Sequence, residues 1–401
     1  MISPEIKQKA LEDAEKILPI LKEIKDKIGN NPELGSEEYK SSKLLVDELI
    51  KHGFEVEYPF FNMDTAFKGI YKSKKDGPII AILCEYDALP GIGHGCGHNI
   101  IGTSGIGAAI VVSKMIDKIG GQIWVIGTPA EEAHGPYMFS KVPMSRDGVF
   151  KDVDVSMMVH PSPYQNMVCA NFLGATSISI EFKGKTAHAA ADAHNGANAL
   201  NAAVLTYMAI HSNRQQLRRD ANPVVHGIIT EGGLASNIIP DKAALMFGVR
   251  SSDDKYIPTM VEMVVNSALG AALATGCEVT TKVVNGVRPT LRNEPLEKLV
   301  FDVFKMLGEE VIDPDITATM IPRGSTDFGD VSQVVPGIHP MVGLGVDGVT
   351  AHSKALADLT LTSAGDHGLA VGVKSLALAS LTLLSDPELL KEVKTYFVNV
   401  Q

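Results

Sequence analysis

The chain has 401 residues, is 45% hydrophobic and carries 36 Lys and Arg against 47 Asp and Glu, a formal net charge of -11. This length predicts two domains, and the acidic balance argues against a nucleic-acid binder or a binder of anionic membranes. A small-molecule substrate fits better.

The four cysteines and the N-terminus indicate the cellular compartment. The cysteines form no CxxC pair, so neither a disulfide framework nor a structural zinc ribbon is predicted; they are Cys84, Cys96, Cys169 and Cys277. The N-terminus has no signal-peptide pattern, and no apolar run is expected to reach the roughly 18 residues that span a bilayer. We therefore expect a soluble cytoplasmic protein.

The first part of the chain has the pattern of a parallel sheet covered on both faces. Amphipathic helices are predicted over 3–29 and 36–52. Three continuous apolar runs follow, and each ends in groups capable of metal or proton chemistry: Ile79–Cys84 before Glu85 and Asp87, Gln122–Ile126 before Glu131 and Glu132, and Val155–Val159 before His160. Such runs are typical of buried parallel strands, whose carboxyl ends meet at one edge.

From residue 174 the apolar residues alternate with polar ones, as expected for a sheet with one solvated face. The predicted order is the βαββαβ order of a ferredoxin-like unit: strand 175–183, helix 195–217, strands 224–231 and 242–251, helix 255–274 and strand 278–286. From Pro289 the buried pattern returns, with helices predicted over 294–307 and 365–384. The sequence thus predicts an α/β catalytic domain in two parts, 1–173 and 289–401, with 174–288 inserted.

The stretch Gly93–Asn99 is the first candidate for metal chemistry. Cys96 and His98 flank Gly97, and the glycines relax the backbone and leave room for a bound ion. The segment lies between a buried strand and a predicted helix, where open α/β sheets hold their ligands. More ligands are needed, because two residues alone do not make a site.

Further ligand candidates follow other apolar runs. In the adjacent pair Glu131 and Glu132, one carboxylate could coordinate an ion while the other takes a proton from water. His160 precedes Pro161-Ser162-Pro163, which predicts a turn that ends the strand, and His352 follows the apolar run at 341–345. Five ligands suit two ions that share one group, and they are too many for one catalytic zinc.

These motifs resemble the M20 metallopeptidases, and more closely the amidohydrolase branch of that family. The resemblance covers nearly the whole chain, in the stretches Glu85–Pro90, Cys96–Asn99, Thr128–Glu132, Val159–Pro161, Gly184–Ala189, Gly232–Pro240 and Gly324–Phe328. It implies a zinc-peptidase-like catalytic domain whose inserted domain serves as a lid and makes a homodimer. The Cys-Gly-His-Asn form looks most like the aminobenzoyl-glutamate hydrolases and the dipeptidases that cleave before basic residues.

The resemblance also implies roles for individual residues. The two-metal ligands would be Cys96, His98, Glu132, His160 and His352, with Cys96 as the bridge. Glu131 would be the general base for a water or hydroxide between the ions, which attacks the amide carbonyl, and Asp87 would orient a metal ligand.

In the inserted domain, the resemblance makes His188 a group that stabilises the oxyanion in the active site of a dimer partner. Asn237 and Arg250 match positions that hold the substrate carboxylate, which suits a guanidinium fork. Asn99 departs from the usual aspartate and removes a possible charge beside His98. The loops after His188 and around His352 also depart from the common pattern, which affects the substrate rather than the reaction.

The expected function is hydrolysis of an amide bond in a small N-acyl amino acid or dipeptide, with zinc or manganese, cobalt also being compatible with the ligands. Two alternatives stay open: an amidase with Cys96 as nucleophile and a non-catalytic metal-binding protein on the same fold. A Rossmann site at Gly343–Gly348 is disfavoured because no helix opens at its last glycine, and no GxSxG elbow supports a serine hydrolase.

Overall fold

The computed structural model describes residues 2–168, 171–320 and 324–401, and only the backbone of Asn285. The chain forms two compact units, the first being Met1–Ala170, Leu291–Met320 and Asp330–Gln401, the second Asn171–Thr290 and Ile321–Gly329. The domain boundaries expected at 173 and 288 stay a prediction. Cys169 and the first residues of the loop from Pro322 lie outside the described residues.

Helices and strands follow one another along the chain in three stretches. The first contains α1 (Pro4–Asn30), α2 (Tyr39–Lys51), β1 (Glu55–Glu57), β2 (Phe67–Lys72), β3 (Ile79–Cys84), α3 (His98–Ile119), β4 (Gln122–Gly127), α4 (Lys141–Arg146), β5 (Val155–Met157), β6 (His160–Ser162) and β7 (Asn166–Met167). The second contains β8 (Gly174–Lys183), α5 (Ala199–Asn213), β9 (Val224–Glu231), β10 (Lys242–Ser251), α6 (Ile257–Thr275) and β11 (Glu278–Val287). The third contains α7 (Glu294–Met306), β12 (Val311–Ile312), α8 (Pro314–Thr319), α9 (Phe328–Ser332), β13 (Gly337–Ile338), β14 (Met341–Gly343), α10 (Lys354–Leu359), α11 (Ser363–Ser385) and α12 (Pro387–Val400).

A six-stranded sheet of order β1-β2-β4-β3-β5-β13 forms the centre of the first unit. Strand β3 pairs in parallel with β4 and β5, and β5 with β13, as the continuous apolar runs predicted; β1 and β2 are antiparallel additions at one edge. Helices α1, α3 and α11 contribute to one continuous apolar core with this sheet. The mixed α/β fold class is therefore confirmed.

The prediction that Pro161 ends the strand and begins a turn is wrong. His160–Ser162 forms β6 in a separate sheet of order β12-β7-β14-β6, parallel to β14. The ladder uses the His160 N–H, which donates to Pro340 O, and the Ser162 carbonyl, which accepts from Leu344 N. Because neither bond needs an N–H at residue 161, a proline is accepted there.

The second unit has a four-stranded antiparallel sheet of order β11-β8-β10-β9. Its strands and helices have the βαββαβ order, and helices α5 and α6 bury alanine-rich faces in a core with Phe182 and Phe247. Numbered within the unit, the strand order is 4-1-3-2, which is the ferredoxin-like arrangement.

The expectation that no segment is long and apolar enough to span a bilayer is wrong, because some helices reach the required length and hydrophobic composition. Among residues 2–168, 171–320 and 324–401, three helices meet those criteria: α3, α6 and α11. In α3 and α11, 94% and 83% of the apolar window is buried inside the protein. The apolar residues of α3 and α11 therefore pack in the core, against the sheet and against each other.

Gly105 of α3 brings this helix against the end of β3, and we expect Gly105→Ala to be destabilising. A Cβ there would lie 2.4 Å from Cys84 Sγ and 3.1 Å from Ile82 Cγ2. Overpacking of this kind costs about 1–3 kcal/mol, measurable by urea unfolding. Gly270→Ala in α6, where a Cβ meets nothing within 4 Å, is the matched control and should be neutral or stabilising. Equal effects of the two substitutions would contradict this account of the packing.

Candidate metal centre

Two parallel strands deliver the acidic groups to one edge of the sheet. Cys84 and Gly127, the last residues of β3 and β4, are register partners, and Thr128 N donates to Cys84 O at 2.8 Å. The segments that carry Asp87 and Glu132 therefore leave the sheet at the same level. Their proximity is direct, because Asp87 Oδ2 accepts from Glu132 N at 2.9 Å.

The turn between Cys96 and His98 needs a glycine for two reasons. Gly97 has a φ of 78°, in the left-handed region, and directly precedes α3. A Cβ at this position would lie 2.3 Å from Pro161 Cγ. Pro161 thus fills the space beside Gly97, and this close approach brings His160 beside His98, with ring centroids 5.8 Å apart.

His352 reaches the same region from far along the chain. Its N–H donates to Gly95 O at 2.9 Å, so its backbone is attached to the segment that carries Cys96. His352 Nε2 lies 3.8 Å from Glu132 Oε1, and the imidazole is 58% exposed whereas the Glu132 side chain is 8% exposed. His352 therefore lies at the open side of the cluster.

The ligand atoms of the predicted residues form overlapping groups, in each of which all atoms lie within 4.8 Å of one another. The groups are Cys96, His98 and His160; Cys96, Glu132 and His352; and His98, Glu131 and Glu132. Cys96 belongs to the first two groups. A sulfur and two further donors within 4.8 Å of one another are close enough to bind one cation, and their types suit zinc and related divalent cations.

The buried polar atoms of the cluster fit metal ligands. His98 Nε2 and Glu132 Oε1 are buried and, within the part of the chain that the structure describes, have no hydrogen-bond partner. Buried polar atoms are rarely left in that state, because each costs about 1–3 kcal/mol. A cation bound by both atoms would satisfy both. The residues present therefore fit a metal site.

Asp87 holds two parts of the cluster at once. Its Oδ1 lies 2.8 Å from His98 Nδ1, while its Oδ2 accepts from the Glu132 backbone. Burial would lower the pKa of His98, but the charge of Asp87 outweighs it and raises that pKa well above its usual range. A histidine that donates from Nδ1 to a carboxylate presents Nε2 to a metal, which suits the predicted role of Asp87.

A buried ion pair lies beside His98. Lys141 Nζ lies 2.7 Å from Glu85 Oε1, and both side chains are almost completely buried. Burial would raise the pKa of Glu85, but Lys141 and then His98 outweigh it and lower that pKa to about 2. Lys141 had not been identified from the sequence, because a lysine that begins a short helix gives no signal of burial.

The environment of Cys96 does not match that of a thiol nucleophile. Burial raises the pKa of Cys96 to about 12, although the neighbouring His98 opposes this. Nucleophilic cysteines have a lowered pKa, so this site lacks the activation that they need. A metal cation would deprotonate the same thiol on binding.

Glu38 was also missed by sequence reasoning. It is completely buried, its Oε1 accepts from Ala130 N at 2.9 Å and its Oε2 accepts from Thr65 Oγ1 at 2.7 Å. Burial, and then the charge of Asp87, raise the pKa of Glu38 to about 7. In the sequence it is one acid in a charged stretch at the start of a predicted helix, and nothing local marks it as buried.

The raised pKa of Glu38 predicts a pH-dependent stability. The folded protein holds this proton more tightly than the unfolded chain, so the associated stability is fully present below the ordinary pKa of 4.5 and is lost as the pH rises through about 7. Glu38→Gln removes the buried charge. We expect its free energy of unfolding to rise relative to the unmodified protein between about pH 5 and pH 8, by about 1–3 kcal/mol in urea unfolding. A difference that does not change with pH would contradict the assignment.

His188, Asn237 and Arg250 lie in the second unit. The backbone of Ala189 donates to Asn237 O at 3.0 Å, which places the segments of His188 and Asn237 side by side, and both residues are exposed. Arg250 lies on β10 and donates to Ser325 Oγ at 3.2 Å. Their predicted roles in oxyanion and carboxylate binding stay predictions.

Comparison with known proteins identifies the family of this chain. The model of peptidase family M20/M25/M40 matches residues 81–375. A Xaa-Arg dipeptidase of Mus musculus is 33% identical over 410 residues (98% of this chain, 92% of the relative). One of the p-aminobenzoyl-glutamate hydrolase subunits of Escherichia coli is 27% identical over 440 residues (92% of this chain, 90% of the relative).

Solved structures share the fold. The Bacillus subtilis YXEP protein, a dinuclear metal-binding peptidase of the M20 family, superimposes with a TM-score of 0.75 at 20% sequence identity, covering 93% of this chain and 99% of its own. The family resemblance predicted from the motifs is thus confirmed. The chain belongs to peptidase family M20 and is a metal-dependent hydrolase.

Proposed function

We propose that this hydrolase binds two divalent cations through Cys96, His98, Glu132, His160 and His352 and cleaves an amide bond of a small dipeptide or N-acyl amino acid. The observation that carries the proposal is the presence of Cys96 in two groups of three ligand atoms. A thiolate common to both groups suits a bridge between two ions, and zinc, manganese and cobalt all accept this ligand set.

The roles of the remaining residues follow from their positions. Bound cations would polarise the amide carbonyl and acidify a water molecule. Glu131, next to the ligand Glu132, would take the proton of that water and give it to the departing amine. Asp87 would keep His98 and the Glu132 backbone in place, as its two hydrogen bonds allow. Storage of a metal would need no such base, which argues against the non-catalytic alternative.

A dipeptide with a basic C-terminal residue is the preferred substrate class, because the Xaa-Arg dipeptidases are more similar to this chain than the aminobenzoyl-glutamate hydrolase is. The test is a panel of Xaa-Arg, Xaa-Lys and Xaa-Glu dipeptides with aminobenzoyl-glutamate, each assayed with zinc, manganese and cobalt. We expect the highest kcat/KM for Xaa-Arg or Xaa-Lys. Cleavage of aminobenzoyl-glutamate alone would move the assignment to the other subgroup, and cleavage of none would contradict the proposal.

We also propose a cytoplasmic homodimer formed through the second unit, in which His188 serves the active site of the partner. Exposed apolar side chains on α5 and α6 support an interface there, among them Met208, which is 61% exposed, and Leu273, which is 87% exposed. Light scattering after gel filtration should give twice the chain mass, and His188→Ala should lower kcat without changing that mass. The free thiols of Cys84, Cys96 and Cys277 suit a reducing compartment, which cell fractionation would test.

A further inference from the structure

We propose that Glu38 is a positioning residue for the reaction: it fixes the backbone of the turn that carries Glu131 and Glu132. The inference rests on the proposed function, in which Glu131 is the base and Glu132 a metal ligand. It adds a residue 92 positions away along the chain from the turn that it holds.

Both oxygens of Glu38 are engaged in fixed hydrogen bonds. One accepts from the Ala130 N–H and the other from the Thr65 hydroxyl, and all three residues are completely buried. The Glu38 side chain makes no capping hydrogen bond to α2, although Glu38 directly precedes that helix. Its side chain therefore links the turn after β4 to the segment before β2 and does not cap its own helix.

Ala130 has a backbone conformation that needs outside support. Its φ is 59°, in the left-handed region, which costs a residue with a Cβ about 1–2 kcal/mol. Its carbonyl accepts from Phe139 N at 2.9 Å, and its N–H is satisfied by Glu38. Without Glu38 this N–H would be buried and unpaired, which adds about 1–3 kcal/mol in favour of a different turn.

The two acids lie between two fixed points of the backbone. Glu38 holds the N–H of Ala130, and Asp87 holds the N–H of Glu132. Glu38 thus fixes the Pro129–Ala130 peptide group and Asp87 the Glu131–Glu132 peptide group, while the Phe139 N–H holds the carbonyl of the Ala130–Glu131 group between them. Together these contacts set the directions in which the side chains of Glu131 and Glu132 leave the backbone. Release of the first contact should misplace both carboxylates.

The test compares Glu38→Ala and Glu38→Gln with Asn293→Ala. Glutamine can accept from Ala130 N and donate to Thr65 Oγ1, whereas alanine does neither. Asn293 is the matched control, because it is also buried in the first unit and uses both ends of its side chain, donating to Val393 O at 2.9 Å and accepting from Leu296 N at 3.3 Å. We would measure kcat, KM, affinity for zinc and manganese, and thermal stability of each protein.

For Glu38→Ala we expect kcat and metal affinity to fall by about 10- to 100-fold each, with KM changed less than about twofold. For Glu38→Gln, kcat and metal affinity should each stay within about threefold of the values of the unmodified protein. Asn293→Ala should lose stability but keep kcat and metal affinity. If Glu38→Ala does not fold, Glu38→Asp retains the charge but shortens the side chain, and it should show the same losses.

Three results would overturn the inference: normal kcat and metal affinity in the folded alanine or aspartate variant, a glutamine variant as defective as the alanine variant, or equal losses in Asn293→Ala. Failure of the proposed function would look different. In that case Glu131→Gln would remain active. The positioning role of Glu38 would then be tested by the metal affinity of Glu38→Ala alone.

Discussion

Glu131→Gln is expected to lower kcat by about 100- to 10,000-fold while the protein keeps its full metal content. Glutamine has nearly the same size as glutamate but cannot take a proton from water. The neighbouring ligand atoms of Cys96, His98 and Glu132 are unchanged by the substitution, so metal binding should persist. Steady-state kinetics and metal analysis of the same preparation provide the measurement.

The control for this substitution is Glu132→Gln. Glu132 Oε1 is buried without a hydrogen-bond partner among the described residues, which suits a ligand, so its loss should lower metal content together with activity. If Glu131→Gln keeps its activity, Glu131 is not the base. If Glu131→Gln loses metal and Glu132→Gln does not, the two roles are exchanged.

Removal of metal should abolish activity and lower stability. Cys96, His98, Glu132 and His352 place several donor atoms together, and His98 Nε2 is buried with no hydrogen-bond partner in the described part of the chain. A cation that binds only the folded protein adds about 2.7 kcal/mol of stability at 100 times its dissociation constant. Dialysis against EDTA should therefore eliminate turnover and lower the melting temperature, and added zinc, manganese or cobalt should restore both.

A cysteine-nucleophile amidase would respond differently to the same experiment. Chelation would leave its turnover intact, because its reaction needs only a thiolate and a base. Full activity of a protein shown by metal analysis to be metal-free would therefore contradict the metal mechanism. The control is dialysis against buffer without chelator, which should preserve activity.

The elements with strong local patterns could be predicted from the sequence. The strands of the second unit are at Gly174–Lys183, Val224–Glu231, Lys242–Ser251 and Glu278–Val287, within one residue of the predicted bounds. Period-two alternation records which face of a strand is buried, so local sequence is enough. Helix α5 is shorter than predicted at both ends, because short 3-10 turns at Ala193–Asn195 and Arg214–Gln216 flank it.

Features that depend on distant partners could not be predicted in the same way. His160–Ser162 is a strand because β14 pairs with it from residues 341–343, and no local pattern reports that pairing. From the sequence, Asn99 is a missing charge beside His98. In the structure its amide donates to Thr360 Oγ1 at 3.0 Å and to Lys25 O at 3.4 Å, and an aspartate could make neither bond.

In the candidate site, too, some residues could be predicted from local sequence patterns and others depend on distant partners. The Cys96 and Glu131 motifs follow apolar runs, so their place at the sheet edge could be inferred from chain order. Glu38 and Lys141 act through contacts made by folding, and each resembles a surface charge in the sequence. Buried charges with distant partners are therefore what sequence patterns miss here.

The most direct measurement is a crystal structure of the protein grown with zinc, with anomalous difference maps recorded above and below the zinc absorption edge. We predict two zinc peaks per chain, one bound by Cys96, His98 and His160 and the other by Cys96, Glu132 and His352. A single peak, or peaks that do not contact Cys96 in crystals saturated with zinc, would contradict a two-metal centre bridged by this thiolate.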